Sequence, residues 1–247
     1  MDNDRVKYGF GYDRRISDYK LVRIADYENT GCFNIHVYTL RSDSWRSTQT
    51  NFPYLFARQA RPSGLLPSGL LFNGALHWLG TQKTSSESAI ISFDIINGRL
   101  LDFPYPEETM SELEDSRELF KNLCVLEGCL CLVLIYRYVL IDVWVMHNYG
   151  ERESWKKWFT VPKSTMTRSY FWQPIWSFND EEILVDNLSS LVVYDIKNTT
   201  TRNVFIAGVC GPRNQPESYV ESLAQLYSGT YARSKSKSKS KRKRGVD

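Results

Sequence analysis

Histidine is scarce in this 247-residue chain: the three present, His36, His77 and His147, have no partners at the spacing of a metal site or a catalytic triad. No Gly-x-Ser-x-Gly elbow and no phosphate-binding glycine loop occurs, and Gly9 and Gly11 are alternate positions of one strand-like run. Apolar runs are short, none near the roughly 18 residues that a membrane helix needs. The first residues are charged and offer no apolar stretch of the secretory kind. Helical periodicity is missing except over 107–121, where acids accompany Leu113, Leu119 and Phe120 and suggest a short helix or structured loop. Cysteines number five: Cys32, Cys124, Cys129, Cys131 and Cys210. Cys129 and Cys131 point the same way on one strand, but no second pair completes a zinc site. These scarcities argue against catalysis, metal binding and membrane insertion, and no cofactor is expected. The expected setting is the cytoplasm, the nucleus or both, with buried, inert thiols.

What the chain has is aromatic side chains, 14% of residues, with 15 Tyr, 12 Phe and 7 Trp. With many Val, Ile and Thr they favour strands. The formal charge of +3 is unevenly spread. Residues 233–247 hold eight basic residues and one acid, a net +7 that leaves −4 for residues 1–232. The chain is therefore expected to divide into a folded domain over 1–232 and a disordered basic tail over 233–247. Within the tail, Lys241, Arg242, Lys243 and Arg244 form a run suited to nuclear import. Nucleic-acid binding through the tail is an alternative, disfavoured because no aromatics are interleaved and the body is acidic. Alternating serines would let phosphorylation cancel the tail's charge.

The folded part repeats. Apolar runs join at Asn73-Gly74 and at Asn97-Gly98, dipeptides that favour tight hairpin turns. Asn73, Glu127 and Glu181 mark the same place at intervals of 54 residues. A looser copy precedes them, with hairpins over 8–24 and 34–50. Four strands per unit at this period predict an all-β β-propeller of about four units, over 8–50, 69–106, 123–162 and 175–207. The segment Tyr219–Leu226 is either a closing strand or a helical turn.

In such blades the turns between strands one and two and between three and four share one end of the propeller. These are tight here, whereas the other connections, 51–68, 80–88, 105–122 and 162–174, are long. Long loops on a rigid scaffold carry recognition. The aromatics Tyr54, Phe56, Tyr105, Tyr170, Phe171 and Trp172 fall in them, with Arg58 and Arg137 as charged anchors, and Arg61 and Arg168 as further ones. They are the candidate protein-substrate contacts, with loop plugging as the competing role. Trp45, Trp78, Trp144, Trp155 and Trp158 fall in blade strands and read as core. Asp94 and Asp195 occupy equivalent repeat positions, which favours turn capping over the paired carboxylates of a propeller glycosidase.

The motifs Tyr8-Gly-Phe-Gly-Tyr-Asp13, Asp18-Tyr-Lys-Leu-Val-Arg23, Val37-Tyr-Thr-Leu-Arg-Ser-Asp-Ser-Trp45, Phe72-Asn-Gly-Ala-Leu-His-Trp78, Ile91-Ser-Phe-Asp94, Leu126-Glu-Gly-Cys-Leu-Cys131 and Val143-Trp-Val-Met146 follow one another in order. Tyr149-Gly150 and Ser154-Trp155 continue the series. Together they resemble the F-box-associated domain of plant F-box proteins, a group that includes the S-locus F-box proteins, over about residues 6–227. The resemblance implies a propeller of kelch type and a non-catalytic, substrate-recruiting module of an SCF-type ubiquitin ligase, with a protein as its partner. No helical F-box precedes the first motif, so the propeller is expected to be incomplete at its N-terminus. The ligase adaptor would then be reached only if an F-box is supplied elsewhere, and the chain would act as a decoy.

Overall fold

The computed structural model describes residues 6–26, 31–57, 68–107, 119–136, 139–162, 165, 171–179, 181–187 and 190–204. They form four antiparallel sheets in chain order. Blade 1 comprises β1 (Val6–Asp13), β2 (Asp18–Ala25), β3 (Cys32–Thr39) and β4 (Ser44–Asn51). Blade 2 comprises β5 (Tyr54–Phe56), β6 (Leu70–Phe72), β7 (Ala75–Gln82), β8 (Ser88–Asp94) and β9 (Arg99–Phe103). Blade 3 comprises β10 (Leu119–Leu126), β11 (Cys129–Tyr136), β12 (Leu140–Met146) and β13 (Trp155–Pro162). Blade 4 comprises β14 (Gln173–Asn179), β15 (Glu182–Asp186), β16 (Leu191–Asp195) and β17 (Thr200–Val204). The expected all-β propeller architecture is present.

Local chemistry sets the turns. Asn73 and Gly74 have φ of 46° and 79°, and Glu127 and Gly128 have 48° and 68°. Two successive left-handed residues make the hairpin turn whose twist matches that of the strands. The turn at Asn97-Gly98 differs from expectation: β8 ends at Asp94 and β9 starts at Arg99, so the loop has four residues. It matches the loops at 14–17, 40–43 and 196–199, and each ends in one left-handed residue: Gly98, Ser17, Asp43 and Thr199. Asp94 and Asp195 cap two of these loops, as their repeat positions suggested. Asp94 accepts from the backbone N–H of Ile96 (2.8 Å) and Asn97 (2.9 Å) and from Asn97 Nδ2 (2.6 Å). Asp195 accepts from Asn198 N and Nδ2, both at 2.8 Å. Burial pushes the Asp94 carboxyl up, but the Asn97 and Ile96 hydrogen bonds outweigh it and hold its pKa below the ordinary value. Replacing Asp94 with alanine is expected to cost about 1–2 kcal/mol, read from the urea midpoint, because three donors lose a charged acceptor. Asp195→Ala is expected to cost less, since water reaches that turn.

Three apolar seams join the blades in sequence. Val22, Ile24, Phe33 and Ile35 of blade 1 meet Leu76, Trp78, Ile91 and Phe93 of blade 2. The opposite face of blade 2, through Leu79, Ile90 and Phe103, meets Leu130, Leu132, Leu134 and Trp144 of blade 3. Val133, Ile135, Val143 and Phe159 of blade 3 then meet Ile183, Val185, Val192 and Tyr194 of blade 4. Strand alternation explains this, because residues i and i+2 line one face and i+1 and i+3 the other. Gly9 and Gly11 belong to the first seam: a Cβ on either would lie 2.3 Å from Leu76 Cδ1 or 2.2 Å from Ile95 Cδ1. Their missing side chains let β1 press against blade 2. A polar clamp reinforces the seam, since Lys20 Nζ bridges Asp13 Oδ2 (2.6 Å) and Ile95 O (2.8 Å). Burial raises the fully buried Asp13 carboxyl, yet the Lys20 contact and the backbone N–H of Arg15 bring its pKa below normal.

Several expectations need correction. Tyr54–Phe56 is a strand on β7, so the connection 51–68 is interrupted by regular structure. Leu119 and Phe120, assigned to a helical or loop segment, begin β10. β7 runs to Gln82, which shortens the connection expected over 80–88 to residues 83–87. The link between β12 and β13 is eight residues long and includes a 3-10 turn at Arg152–Ser154. Trp78, Trp144 and Trp155 are core residues, but Trp45 is 55% exposed, on the outer strand β4, which no other sheet covers among the described residues. Cys124 and Cys131 face one another and are buried, whereas Cys32 and Cys129 are half-buried. The hydrogen bond that the Cys124 thiol donates to its neighbour Cys131, with burial, pushes its pKa well up and keeps it protonated.

Candidate recognition surface

Of the long-loop rings, for which loop plugging was the competing role, several are buried. Tyr105, Phe171 and Trp172 are buried. Tyr105 packs in the seam between blades 2 and 3, with Lys121 Nζ 5.5 Å from its ring centroid. Trp172 lies edge-on to Phe159 (6.3 Å) and Tyr194 (6.2 Å) in the seam between blades 3 and 4. Phe56 is half-buried and edge-on to Phe33 (5.2 Å) and Trp78 (5.5 Å), in the first seam. Tyr54 is half-buried and donates to Asp102 Oδ2 at 2.8 Å. Burial first, then that carboxylate, pushes its phenol up to about 12. The physical reason is common to them. Each link crosses from the outer strand of one sheet to the inner strand of the next, over the seam, and the largest apolar groups leave water there. Arg58, Arg61, Arg137, Arg168 and Tyr170 lie outside the described residues, as do Lys241, Arg242, Lys243 and Arg244 and the segment Tyr219–Leu226.

The inner strand of blade 2 holds a feature with no counterpart in the other three blades. It is split into β5 and β6, both on the same edge of β7: β5 pairs with Gly80–Gln82 and β6 with Ala75–His77. The inner strand of blade 2 is therefore interrupted between Ala57 and Ser68. Ala57 N donates to Leu79 O (2.9 Å) before the break, and Gly69 N donates to Tyr8 O (2.7 Å) after it. Lys7, 1% exposed on β1, donates to Ala57 O at 3.3 Å, and its ammonium lies 6.0 Å from the Phe56 ring centroid. Both sides of the break are thus pinned to the scaffold. The sequence carried a signal for this in Arg58–Pro67, where two Arg, two Pro and a Gly interrupt a strand pattern. Lys7 was not legible as part of it.

His77 sits at the centre of the second seam. Its Nε2 lies 2.8 Å from Tyr149 Oη and its Nδ1 lies 3.2 Å from Leu70 O. Tyr149, from the β12–β13 link, also packs against Phe72 (5.4 Å) and Phe103 (4.9 Å). Burial, joined by the charge of Asp94, pushes the Tyr149 phenol up to about 12, so it donates to Nε2 while Nδ1–H donates to Leu70. The histidine is a neutral tie between two blades. Among the described residues no group of three His, Cys, Asp or Glu is placed to hold a metal ion.

Comparison with known proteins bears on what such a scaffold serves. F-box protein CPR1 of Arabidopsis thaliana is 30% identical over 209 residues, which cover 78% of this chain and 50% of CPR1. The F-box/kelch-repeat protein At3g23880 of the same plant is 33% identical over 196 residues, 78% of this chain and 49% of its own length. F-box protein At4g22390, also of that plant, is 29% identical over 214 residues, 80% and 52% of the two chains. The chain thus spans about half the length of these relatives. Among solved structures, β-fructofuranosidase from Schwanniomyces occidentalis superposes with a TM-score of 0.37 at 8% identity, over 82% of this chain and 48% of that one, too loose a likeness to carry an argument. The model of the F-box associated beta propeller domain matches residues 2–231, which takes in every blade described above. The repeats, the four sheets and the relatives agree, and the chain belongs to the F-box associated beta propeller domain family.

Proposed function

We propose that this domain is the non-catalytic substrate-recognition part of an SCF-type ubiquitin ligase, and that it grips a protein target through the insertion at 58–67 and the long-loop end around it. The observation that carries this is the split inner strand of blade 2, whose two pieces are pinned on either side of the Arg- and Pro-containing stretch 58–67. Arg58 and Arg61 supply the charged, planar donors that rank among the strongest interface anchors. The seams beneath keep the scaffold rigid, so little ordering entropy is lost when a target docks. Contact with the ligase adaptor runs through an F-box, a surface separate from this one.

The test replaces residues 58–67 by a Gly-Ser stretch of equal length in the full chain. Proteins captured from plant extract by the parent chain are identified by mass spectrometry and then measured against the variant. The expected result is at least a tenfold loss of the target with an unchanged melting temperature. Undiminished capture by the variant would refute the assignment, and direct co-precipitation of the chain with the adaptor would refute the separation of surfaces.

A further inference from the structure

The two faces of blade 1 differ. On β1, Gly9 and Gly11 meet blade 2, so the alternate residues Phe10 and Tyr12 face away from it. The register carries that face across the sheet: Phe10 lies opposite Leu21, Leu21 opposite Tyr38 and Tyr38 opposite Trp45, while Tyr12 lies opposite Tyr19. Each of the four strands thus contributes a ring. Phe10 and Trp45 are each 55% exposed, Tyr12 and Tyr19 are exposed too, and none of these rings belongs to an apolar seam. They form two groups. On β1 and β2, Phe10 stacks on Tyr19 at 5.3 Å with the rings 4° from parallel, and Tyr12 meets Tyr19 edge-on at 5.1 Å. On β3 and β4, Tyr38 and Trp45 lie 5.2 Å apart. Strand spacing sets the two groups about 10 Å from one another.

The charge along this face has one sign. Arg23 and His36 are neighbours in the next row of the register, and no Asp or Glu falls on this face of β1–β4. Asp13 and Asp18 lie opposite one another on the face toward blade 2. Arg14 and Arg41 are exposed in the turns at the Tyr12 end, and Arg41 spends one N–H on Ser17 O at 2.9 Å. Asp43, in the β3–β4 turn, accepts from Tyr38 Oη at 2.6 Å. Residues 6–26 and 31–51 hold seven Lys or Arg against four Asp, a basic island on a body of net −4.

We propose that this face binds single-stranded RNA, with unpaired bases stacked on the two ring groups and backbone phosphates against Arg14 and Arg41. Planar groups alternating with anions are the chemistry of a polynucleotide, and its base faces are open only in an unpaired strand. A four-stranded sheet with exposed rings is a platform able to take two or three such bases. A second copy docked face to face would meet the same arginines and no strand carboxylate, a like-charge contact that disfavours it. The tail at 233–247 offers phosphate contacts without rings, whereas blade 1 brings both together. The site lies on blade 1 and is independent of the recognition surface proposed on blade 2, so either can fail alone.

The test irradiates the full chain with a mixed-sequence RNA of about 12 nucleotides carrying 4-thiouridine and identifies the cross-linked peptides by mass spectrometry. Adducts are expected in the tryptic peptides 8–14, 16–20 and 42–46, which carry Phe10 and Tyr12, Tyr19 and Trp45. Adducts confined to residues 233–247 would overturn the proposal. Fluorescence anisotropy of the same RNA, labelled with fluorescein, reads the affinity. Phe10→Ala combined with Tyr19→Ala is expected to weaken binding about tenfold or more at an unchanged melting temperature. Thr48→Ala, on the opposite face of β4, leaves the affinity as it is. Trp45→Ala, on the outer strand, is expected to weaken binding about fivefold and serves as the readout if the double variant unfolds. Parental affinity in the folded aromatic variants would overturn the assignment, and so would a free chain that is a dimer broken by Phe10→Ala.

Discussion

Trp78→Ala is expected to destabilise the domain by roughly 3–5 kcal/mol, the cost of emptying a large aromatic site in a packed core. Trp78 is fully buried at the first seam, where the Phe56 ring meets it edge-on at 5.5 Å. The backbone presses on the indole from another side, since a Cβ at Gly69 would lie 2.5 Å from Trp78 Cζ2. Rigid β7 and the pinned foot of the insertion leave little room for collapse, which places the cost toward the upper part of the range. The indole N–H has no hydrogen-bond partner among the described residues, so the loss is one of packing. Trp78→Phe is accordingly expected to recover about half of the loss, as most of the ring area is kept. Equilibrium denaturation in urea measures both variants. A change below about 1 kcal/mol for Trp78→Ala would show that the seam does not hold the blades together.

Acidification from pH 7 to pH 4 is expected to remove on the order of 3 kcal/mol of stability through His77 alone. Burial lowers its pKa from 6.5 to about 4, against a smaller raising effect of the Leu70 and Ala75 backbone groups. The unfolded chain takes up a proton below pH 6.5, and the folded chain refuses it until about pH 4. Between those values the unfolded state binds more protons, so stability falls as pH falls, and it levels off below the folded pKa. The groups facing the ring do not offset this: Tyr149 stays protonated, and Leu70 O accepts from the neutral form. Asp13 and Asp94 have pKa values held below 3.8, so their stabilising contributions are lost only at lower pH, outside the His77 window. His77→Gln is expected to flatten the slope of unfolding free energy between pH 6.5 and 4, whatever it does to stability at pH 7. Denaturation series at several pH values read that slope directly. A slope unchanged in the variant would mean that the histidine is not the titrating group.

Strands and turns were legible in the sequence because both are decided within a few residues. Asn73-Gly74 and Glu127-Gly128 declare their left-handed turns by chemistry alone, and Asp94 and Asp195 announce the loops that their own carboxylates cap. The alternation of Gly9 and Gly11 with Phe10 and Tyr12 even separated the two faces of β1. It could not say which face meets another blade. That depends on which sheets adjoin, a matter of contacts far apart in the chain. For this reason the sequence left open whether Tyr105, Phe171 and Trp172 meet a partner or plug the loops, and the structure buries them, while Trp45, read as core, is exposed. The same distance effect hid the His77 tie, whose Tyr149 partner is 72 residues away, and Lys7 at the foot of the insertion, which bonds Ala57 50 residues on. Sequence by itself determined the repeat, the strands, the turns and the family. The tertiary structure decided which aromatic faces are buried and where the scaffold opens, because burial belongs to the meeting of two surfaces and periodicity describes only one.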